Sequence, residues 1–337
     1  MKNFKALKLT VLALTALILA TCKPTEKKPM LPTVTGLPGD LAIVADKADW
    51  DSRPGEELRK IFTEPVQVLP QYEPLFDLMF VPHSAFNSVL QPFRNILMVN
   101  INEKYKEPKI VVQKEVYSKT QILFNLYAKD DSAFGELLNK NKGKILALLE
   151  DAERNRLTEY YKKNLNEGIF NNLRDKYNIT LYVPREYKTN IDSSDFMWLY
   201  HEIGAVTLGI FVYEYAYTDS NTFTSGYLIE KRNTLLKKYV PGEVKGSYMT
   251  TETLFGPVFN QYLLRGQRYV AELKGLWKME NGISMGGPFI SITTLDEKRN
   301  KIITVEGFVF ATGEEKRNYL RQTEAIVLSL EIPDNQR

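Results

Sequence analysis

The sequence predicts an α+β protein with largely antiparallel sheets, packed helices and two subdomains. Three observations carry that prediction. Short apolar runs alternate with amphipathic ones between residues 41 and 127, helical spacing persists from about 130 to 177, and strand-like alternation dominates from there to about 311. Composition agrees: of 337 residues, 44% are hydrophobic and 25% charged. These are ordinary globular proportions, enough for one large core or two medium ones.

Lys2, Lys5 and Lys8 precede an uncharged stretch over 9–20, the order of a basic n-region and a short apolar h-region in a secretory signal. The stretch is shorter than the roughly 20 apolar residues of a membrane span, so it is expected to be processed. The only cysteine closes it as Leu19-Ala20-Thr21-Cys22. That run resembles a bacterial lipoprotein lipobox, although Thr21 stands where Gly, Ala or Ser is usual. The expectation is a signal peptide over 1–21, a lipid on Cys22, and a chain held to the membrane of the cell envelope by that lipid. The competing reading, an unmodified Cys22 beside an ordinary cleavage site, leaves an exposed reactive thiol.

Residues 22–40 carry Pro24, Pro29, Pro32, Pro38, Gly36 and Gly39. Such a composition continues neither helix nor central strand, so it reads as a tether. The whole chain has 44 Lys plus Arg against 41 Asp plus Glu. Loss of residues 1–21 takes three lysines and no acid, which leaves the mature chain neutral. A neutral chain lacks the electrostatic footprint of a nucleic-acid binder, so no nucleic-acid partner is expected. With no cysteine after Cys22, intramolecular disulfides and cysteine-ligated metals are excluded.

An N-terminal α/β subdomain is expected over 41–150. Its runs at 41–45, 56–62, 75–81, 85–90 and 96–101 read as strand, helix, strand, helix, strand, with parallel crossovers open to them. The runs 110–117 and 121–127 are close enough for an antiparallel hairpin. Asp130, Asp131 and Ser132 then offer N-caps to the long helical stretch, where Gly143 and Gly168 are expected to break it into two or three helices.

The helical connection and an antiparallel C-terminal α+β subdomain are expected over 151–332. Strands are read at 179–183, 196–201, 206–217, 248–254, 269–279, 289–294 and 302–311. A capped helix lies between Asp219 and Pro241-Gly242, and a last helix over 314–330 buries Leu320, Thr323, Val327 and Leu330. Asn281-Gly282 signals a hairpin with a type I′ turn, which needs positive φ at both positions. The order of elements in this part loosely resembles the layout of PsbP-like domains.

The succession Pro92-Phe93-Arg94-Asn95-Ile96-Leu97, Tyr217-Thr218-Asp219-Ser220-Asn221-Thr222-Phe223-Thr224, Gly246-Ser247-Tyr248-Met249, Gly275-Leu276-Trp277, Met285-Gly286-Gly287-Pro288-Phe289 and Glu306-Gly307-Phe308-Val309 resembles an uncharacterised lipoprotein family of Bacteroidota. The resemblance spans nearly all of the mature chain. It implies an envelope lipoprotein with a domain of unknown function and brings no catalytic residues with it. Surface-exported lipoproteins of that group carry an acid-rich run after the cysteine, whereas Lys23-Pro24-Thr25-Glu26-Lys27-Lys28 stands here. The implied place is the outer membrane, facing the periplasm.

Catalytic signatures are missing. Gly282-Ile283-Ser284-Met285-Gly286 has the letters of a nucleophile elbow, but a strand follows it and no histidine lies beyond His201. His201-Glu202 lacks the second histidine of a zinc helix, since position 205 is alanine. Glu150, Asp151 and Glu153 read as a solvated helix face, with Glu150 four residues before Arg154. No phosphate-cradling glycine run occurs, so no cofactor and no metal are expected.

The informative chemistry is aromatic. Phe196, Trp198 and Tyr200 share one strand face, while Phe211, Tyr213, Tyr215 and Tyr217 share a face of the next. Paired, they make an aromatic sheet face, either open as a groove or roofed by the helix that begins near Thr222 and offers Phe223, Tyr227 and Leu228. Phe196, Trp198, Tyr200, Tyr213, Tyr215 and Tyr217 are therefore the candidate binding residues, for an envelope glycan, lipid or protein. The expected function is non-enzymatic binding or envelope maintenance; the alternative is a periplasmic hydrolase whose carboxylates are scattered along the sequence.

Overall fold

The computed structural model describes residues 30–265 and 268–333, so the expected signal segment and Cys22, the expected site of lipidation, lie outside the described residues. The chain is α+β, as its sequence predicts. Its first part builds β1 (Asp40–Ala45), α1 (Lys47–Trp50), α2 (Arg53–Phe62), β2 (Asp77–Pro82), β3 (Asn95–Ile101), β4 (Lys109–Lys114) and β5 (Ile122–Ala128). These strands form one sheet in the order β2-β1-β3-β5-β4. β1 pairs in parallel with β2 and β3, and β3 with β5, while β4 and β5 form the expected antiparallel pair. β1 is buried on both faces, as a parallel strand with covered faces requires. Leu41 and Ile43 meet Leu58 and Phe62 of α2 on one side, and Ala42 and Val44 meet Phe93 and Leu123 on the other.

Two expectations fail here. The helix over 85–90 is absent: a 3-10 turn, His83–Ala85, stands in its place, and the Asn87 side chain accepts the Val89 N–H at 3.0 Å. That local bond competes with a helix. The tether is also shorter than expected. Thr35 donates its N–H to Pro92 O and accepts one from Arg94, so order begins near Thr33, where a bridge to Lys119 forms.

The helical stretch is two helices. α3 (Asp131–Lys163) starts where the Asp130 side chain accepts the Ala133 N–H, and it runs through Gly143 without a break. α4 (Glu167–Tyr177) is capped by Asn166 and ends at Asn178 in the left-handed region. The break thus falls at 164–166, where polar side chains offer the backbone alternative partners, and Gly168 lies in the first turn of α4.

The second part builds β6 (Lys188–Asp192), β7 (Phe196–Ile203), β8 (Val206–Ala216), α5 (Ser225–Tyr239), β9 (Tyr248–Thr251), β10 (Val258–Leu264), β11 (Arg268–Glu280), β12 (Gly286–Asp296), β13 (Lys301–Ala311) and α6 (Arg317–Val327). The sheet order is β10-β11-β12-β13-β8-β7-β6, with β9 also on β11. Every pairing is antiparallel. One face carries aliphatic residues such as Leu199, Ile210, Ile292 and Val305, packed beneath α4 and α6. The strand read at 179–183 is only an isolated bridge from Thr180 to Glu331. At the β11–β12 hairpin Asn281 has φ +54° but Gly282 is not positive. The connection is a longer loop closed by Met279 N–H to Met285 O, not a two-residue turn.

The described residues from Thr33 onward form one compact unit. α6 has no capping side chain of its own. Instead Glu73, buried in the loop before β2, accepts the N–H groups of Lys316 at 2.7 Å and Arg317 at 2.6 Å. Arg317 in turn donates to Pro74 O and pairs with Asp77. A carboxylate at a helix N-terminus satisfies free donors and opposes the helix dipole, so this cap fastens the second sheet's helix to the first sheet's loop.

Candidate functional site

Antiparallel pairing of β7, β8 and β13 puts Phe196 opposite Tyr213 and Trp198 opposite Phe211. Alternation sends these rings to the face away from α6. Phe196 lies 5.3 Å from Phe211, 6.0 Å from Tyr213 and 4.6 Å from Tyr239 of α5, centroid to centroid. Tyr215 meets Tyr227 at 6.2 Å, and Tyr217 meets Phe223 at 6.4 Å. Leu228, Leu235 and Leu236 complete the cover. The aromatic face is therefore roofed by α5. Phe196, Trp198, Tyr213 and Tyr215 belong to one aromatic cluster, Tyr217 stands just past β8, and half-buried Tyr200 makes no ring contact among the described residues. Burial, then the Glu306 carboxylate, pushes the Tyr213 hydroxyl well above its ordinary value, so it stays neutral.

The roof stops early. Pro241 cannot continue a helix, α5 ends at Tyr239, and Trp198 is left half-uncovered. Beside it opens a pocket of about 230 Å³ floored by Trp198, Trp277, Phe308 and Phe310 and walled by Met249, Met279 and Met285. Ile283, 56% exposed, sits over it on the 281–285 loop. Gly242 and Gly282 let the two rim loops close on Ser247: a Cβ would lie 2.4 Å from its Oγ at Gly242 and 2.9 Å from its Cβ at Gly282. The Trp277 indole donates to Val309 O at 3.1 Å, while the buried Trp198 Nε1 has no acceptor. Of the six residues singled out from sequence, only Trp198 lines this pocket. Phe308 and Phe310 were findable by the same alternation along β13, and Met279 by its place two residues after Trp277 on β11; Met249 and Met285 carried no such signal.

A second cavity lies where α3, α6 and the loop before β2 meet the second sheet. It measures about 590 Å³ and is lined by Glu150 of α3, Lys274 of β11, and Arg321 and Glu324 of α6, beside Val66, Val68, Leu146 and Leu320. Lys274 Nζ is 3.0 Å from Glu324 Oε1. Burial alone would raise the Glu324 carboxyl, but Lys274 and the nearby arginines outweigh it and hold it low. Burial, then Glu324, raises Glu150. Sequence spacing could not place these four groups together.

The acidic trio on α3 is not a uniform solvated face. Glu153 is buried, paired with Arg94 at 2.9 Å and Arg156 at 2.9 Å, and accepts from Asn95 at 2.6 Å. Burial lowers Arg156 to about 10. Asp151, not Glu150, pairs with Arg154. His201 lies on β7 with its ring 5.6 Å from Tyr187, and the elbow-like residues 282–286 make the β11–β12 loop. Among the described residues, no cluster of His, Cys, Asp and Glu could hold a metal, and no helix is long and apolar enough to cross a membrane.

Among solved structures, the chain is similar to the crystal structure of LpqN involved in cell envelope biogenesis of Mycobacterium tuberculosis, at 13% identity and TM-score 0.27, over 44% of this chain and 79% of that one. That likeness is too distant to carry a role across. No curated protein matches the chain. Residues 34–162 match the family model described as domain of unknown function DUF8532, and residues 166–329 match that of domain of unknown function DUF4837. Two family models of unknown function thus match successive parts of the chain.

Proposed function

We propose that this is a non-enzymatic cell-envelope lipoprotein, anchored by a lipid on Cys22 to the outer membrane and facing the periplasm. In this reading it holds an apolar group of an envelope ligand in the pocket beside Trp198. The observation that carries it is the gap left where α5 stops short of covering the aromatic layer. At about 230 Å³ the pocket exceeds the roughly 150 Å³ of an engineered apolar cavity that takes up benzene. An aromatic ring or a short acyl segment fits. Methionine walls adapt to ligands of different shape because the unbranched side chain repacks readily. Membership of the envelope rests on the order of basic, apolar and cysteine segments at the N-terminus.

Methyl NMR of the methionines in the chain from residue 23 onward tests the pocket. Titration with decanoate is expected to shift Met249, Met279 and Met285 saturably and leave Met79 and Met98 unmoved. Ile283→Asp, at an exposed position, should weaken binding about tenfold, the equivalent of about 1.4 kcal/mol. Unmoved pocket methyls at saturating decanoate would sink the reading. The hydrolase alternative draws on one observation, the shared cleft of Glu150 and Glu324. It is the weaker reading, because Glu324 is tied to Lys274 and no activated nucleophile stands beside either carboxylate.

A further inference from the structure

The second cavity has three features that the fold leaves wholly or partly unused. First, Glu150 lines a concavity that water reaches but whose walls partly desolvate its carboxyl, and it has no hydrogen-bond or ion-pair partner among the described residues. Its acidic neighbours Asp151, Glu153 and Glu324 are all paired. Second, the Arg321 guanidinium donates to Leu75 O and weakly to Asn318 and lies 5.1 Å over the Phe76 ring, but among the described residues it meets no carboxylate within ion-pair distance. Glu150 and Arg321 feel each other's charge without touching, so a gap separates an unpaired acid from an unpaired base. Third, Gly143 lines the cavity in the interior of α3, and nothing lies within 4 Å of where its Cβ would be. A helix-interior glycine costs about 1 kcal/mol relative to alanine. No turn, positive φ or close approach in the fold accounts for it.

We propose that this cavity is a second binding site, which takes a zwitterion of the amino-acid type with its ammonium on Glu150, its carboxylate on Arg321 and its apolar side chain among Val66, Val68, Leu146 and Leu320. Charge balance selects this class. A simple cation would meet Glu150 but face Lys274 and Arg321, and a simple anion would meet Arg321 but face Glu150 and Glu324. A ligand that carries both signs satisfies both. Burial disfavours the charged form of each group as it stands, raising Glu150 and lowering Arg321, so each gains from a counter-charge delivered into a site of reduced dielectric. Lys274 is already neutralised by Glu324, and it fixes that side chain at the cavity wall. The space at Gly143 is then room for the ligand.

Isothermal titration of the full chain in detergent micelles tests the proposal with four probes: leucine, leucinamide, N-acetylleucine and the dipeptide Leu-Leu. Leucine or Leu-Leu is expected to bind saturably, and whichever binds more tightly tells a free amino acid from a peptide as the source. Leucinamide lacks the anion and N-acetylleucine the cation, so each should bind at least about tenfold more weakly, the loss expected for one charge-assisted hydrogen bond. Glu150→Gln should weaken the zwitterion about tenfold and leave N-acetylleucine bound no more weakly than before, because that anion loses a like charge it faced. Gly143→Leu, on the cavity side of α3, should abolish binding while the helix content by circular dichroism stays the same. Equal affinity for leucine, leucinamide and N-acetylleucine, or binding of none of the probes, overturns the proposal. Turnover of Leu-Leu overturns it in favour of a hydrolase.

Discussion

At the scale of single residues, the covered aromatic layer hides a charge. Arg232 of α5 and Glu306 of β13 are both buried and joined by two hydrogen bonds of 2.8 and 2.7 Å. Arg232 also donates to Thr251 at 2.8 Å and lies 3.9 Å over the Phe289 ring. Two desolvated charges are costly, and a buried pair is net stabilising only when geometry and remaining donors are satisfied. Here the fork of the guanidinium is filled, which locks α5 to the sheet at one register. Arg232→Met should therefore cost about 3–5 kcal/mol in a urea melt, because Glu306 is left buried and alone. The double variant Arg232→Met with Glu306→Leu should recover most of that loss. If the single variant melts like the parent chain, the pair is not what fastens the roof. None of this was legible in the sequence. Arg232 sits in an ordinary amphipathic helix and Glu306 in a β-strand, and only the sheet pairing shows that they meet.

At the scale of elements, legibility followed burial. The central strands β1, β3, β7, β8, β11 and β13 could be read because both faces, or one, must be apolar, and that requirement writes itself as runs or alternation. The edge strand β6, with the sequence KTNID, could not be read, since an exposed edge is built from polar residues. β10 escaped for a related reason, being another edge whose side chains are mostly exposed or half-buried. The aromatic face of β7 and β8 was legible as a pattern, and its roof as an option. The pocket was not, because it depends on where α5 ends relative to a loop from β11. The cap of α6 by Glu73 was equally invisible, lying more than two hundred residues away in sequence. Removing it as Glu73→Ala strips the Lys316 and Arg317 N–H groups of a buried charged acceptor. The expected loss is about 2 kcal/mol in chemical denaturation, with amide exchange fastest at the start of α6. A variant that unfolds at the parent's midpoint would show that water replaces the carboxylate without cost.

At the scale of the whole molecule, the two stretches that family models match lie in one unit, and α3 and α6, which pack on each other, also line the second cavity. α3 supplies Glu150 and Gly143, and α6, held by Glu73, supplies Arg321 and Glu324. In the proposed reading the unit is held at the membrane by its N-terminus, and among the described residues no helix is long and apolar enough to span one. A single acyl chain gives only marginal and reversible membrane binding, whereas two or more give stable anchoring. A lipid-modified Cys22 should accordingly keep the protein in the membrane fraction through washes in high salt, which strip proteins held by charge alone. A chain without residues 1–21 carries as many acids as bases, so net charge offers no substitute anchor. Cys22→Ser should release the chain into the soluble periplasmic fraction or leave an unprocessed precursor of larger size, read by fractionation and gel migration. Membrane partitioning and migration identical to those of the parent chain would refute lipidation at Cys22. Failure there would leave the pocket and the cavity untouched, because the residues that form both lie in the unit that begins at Thr33.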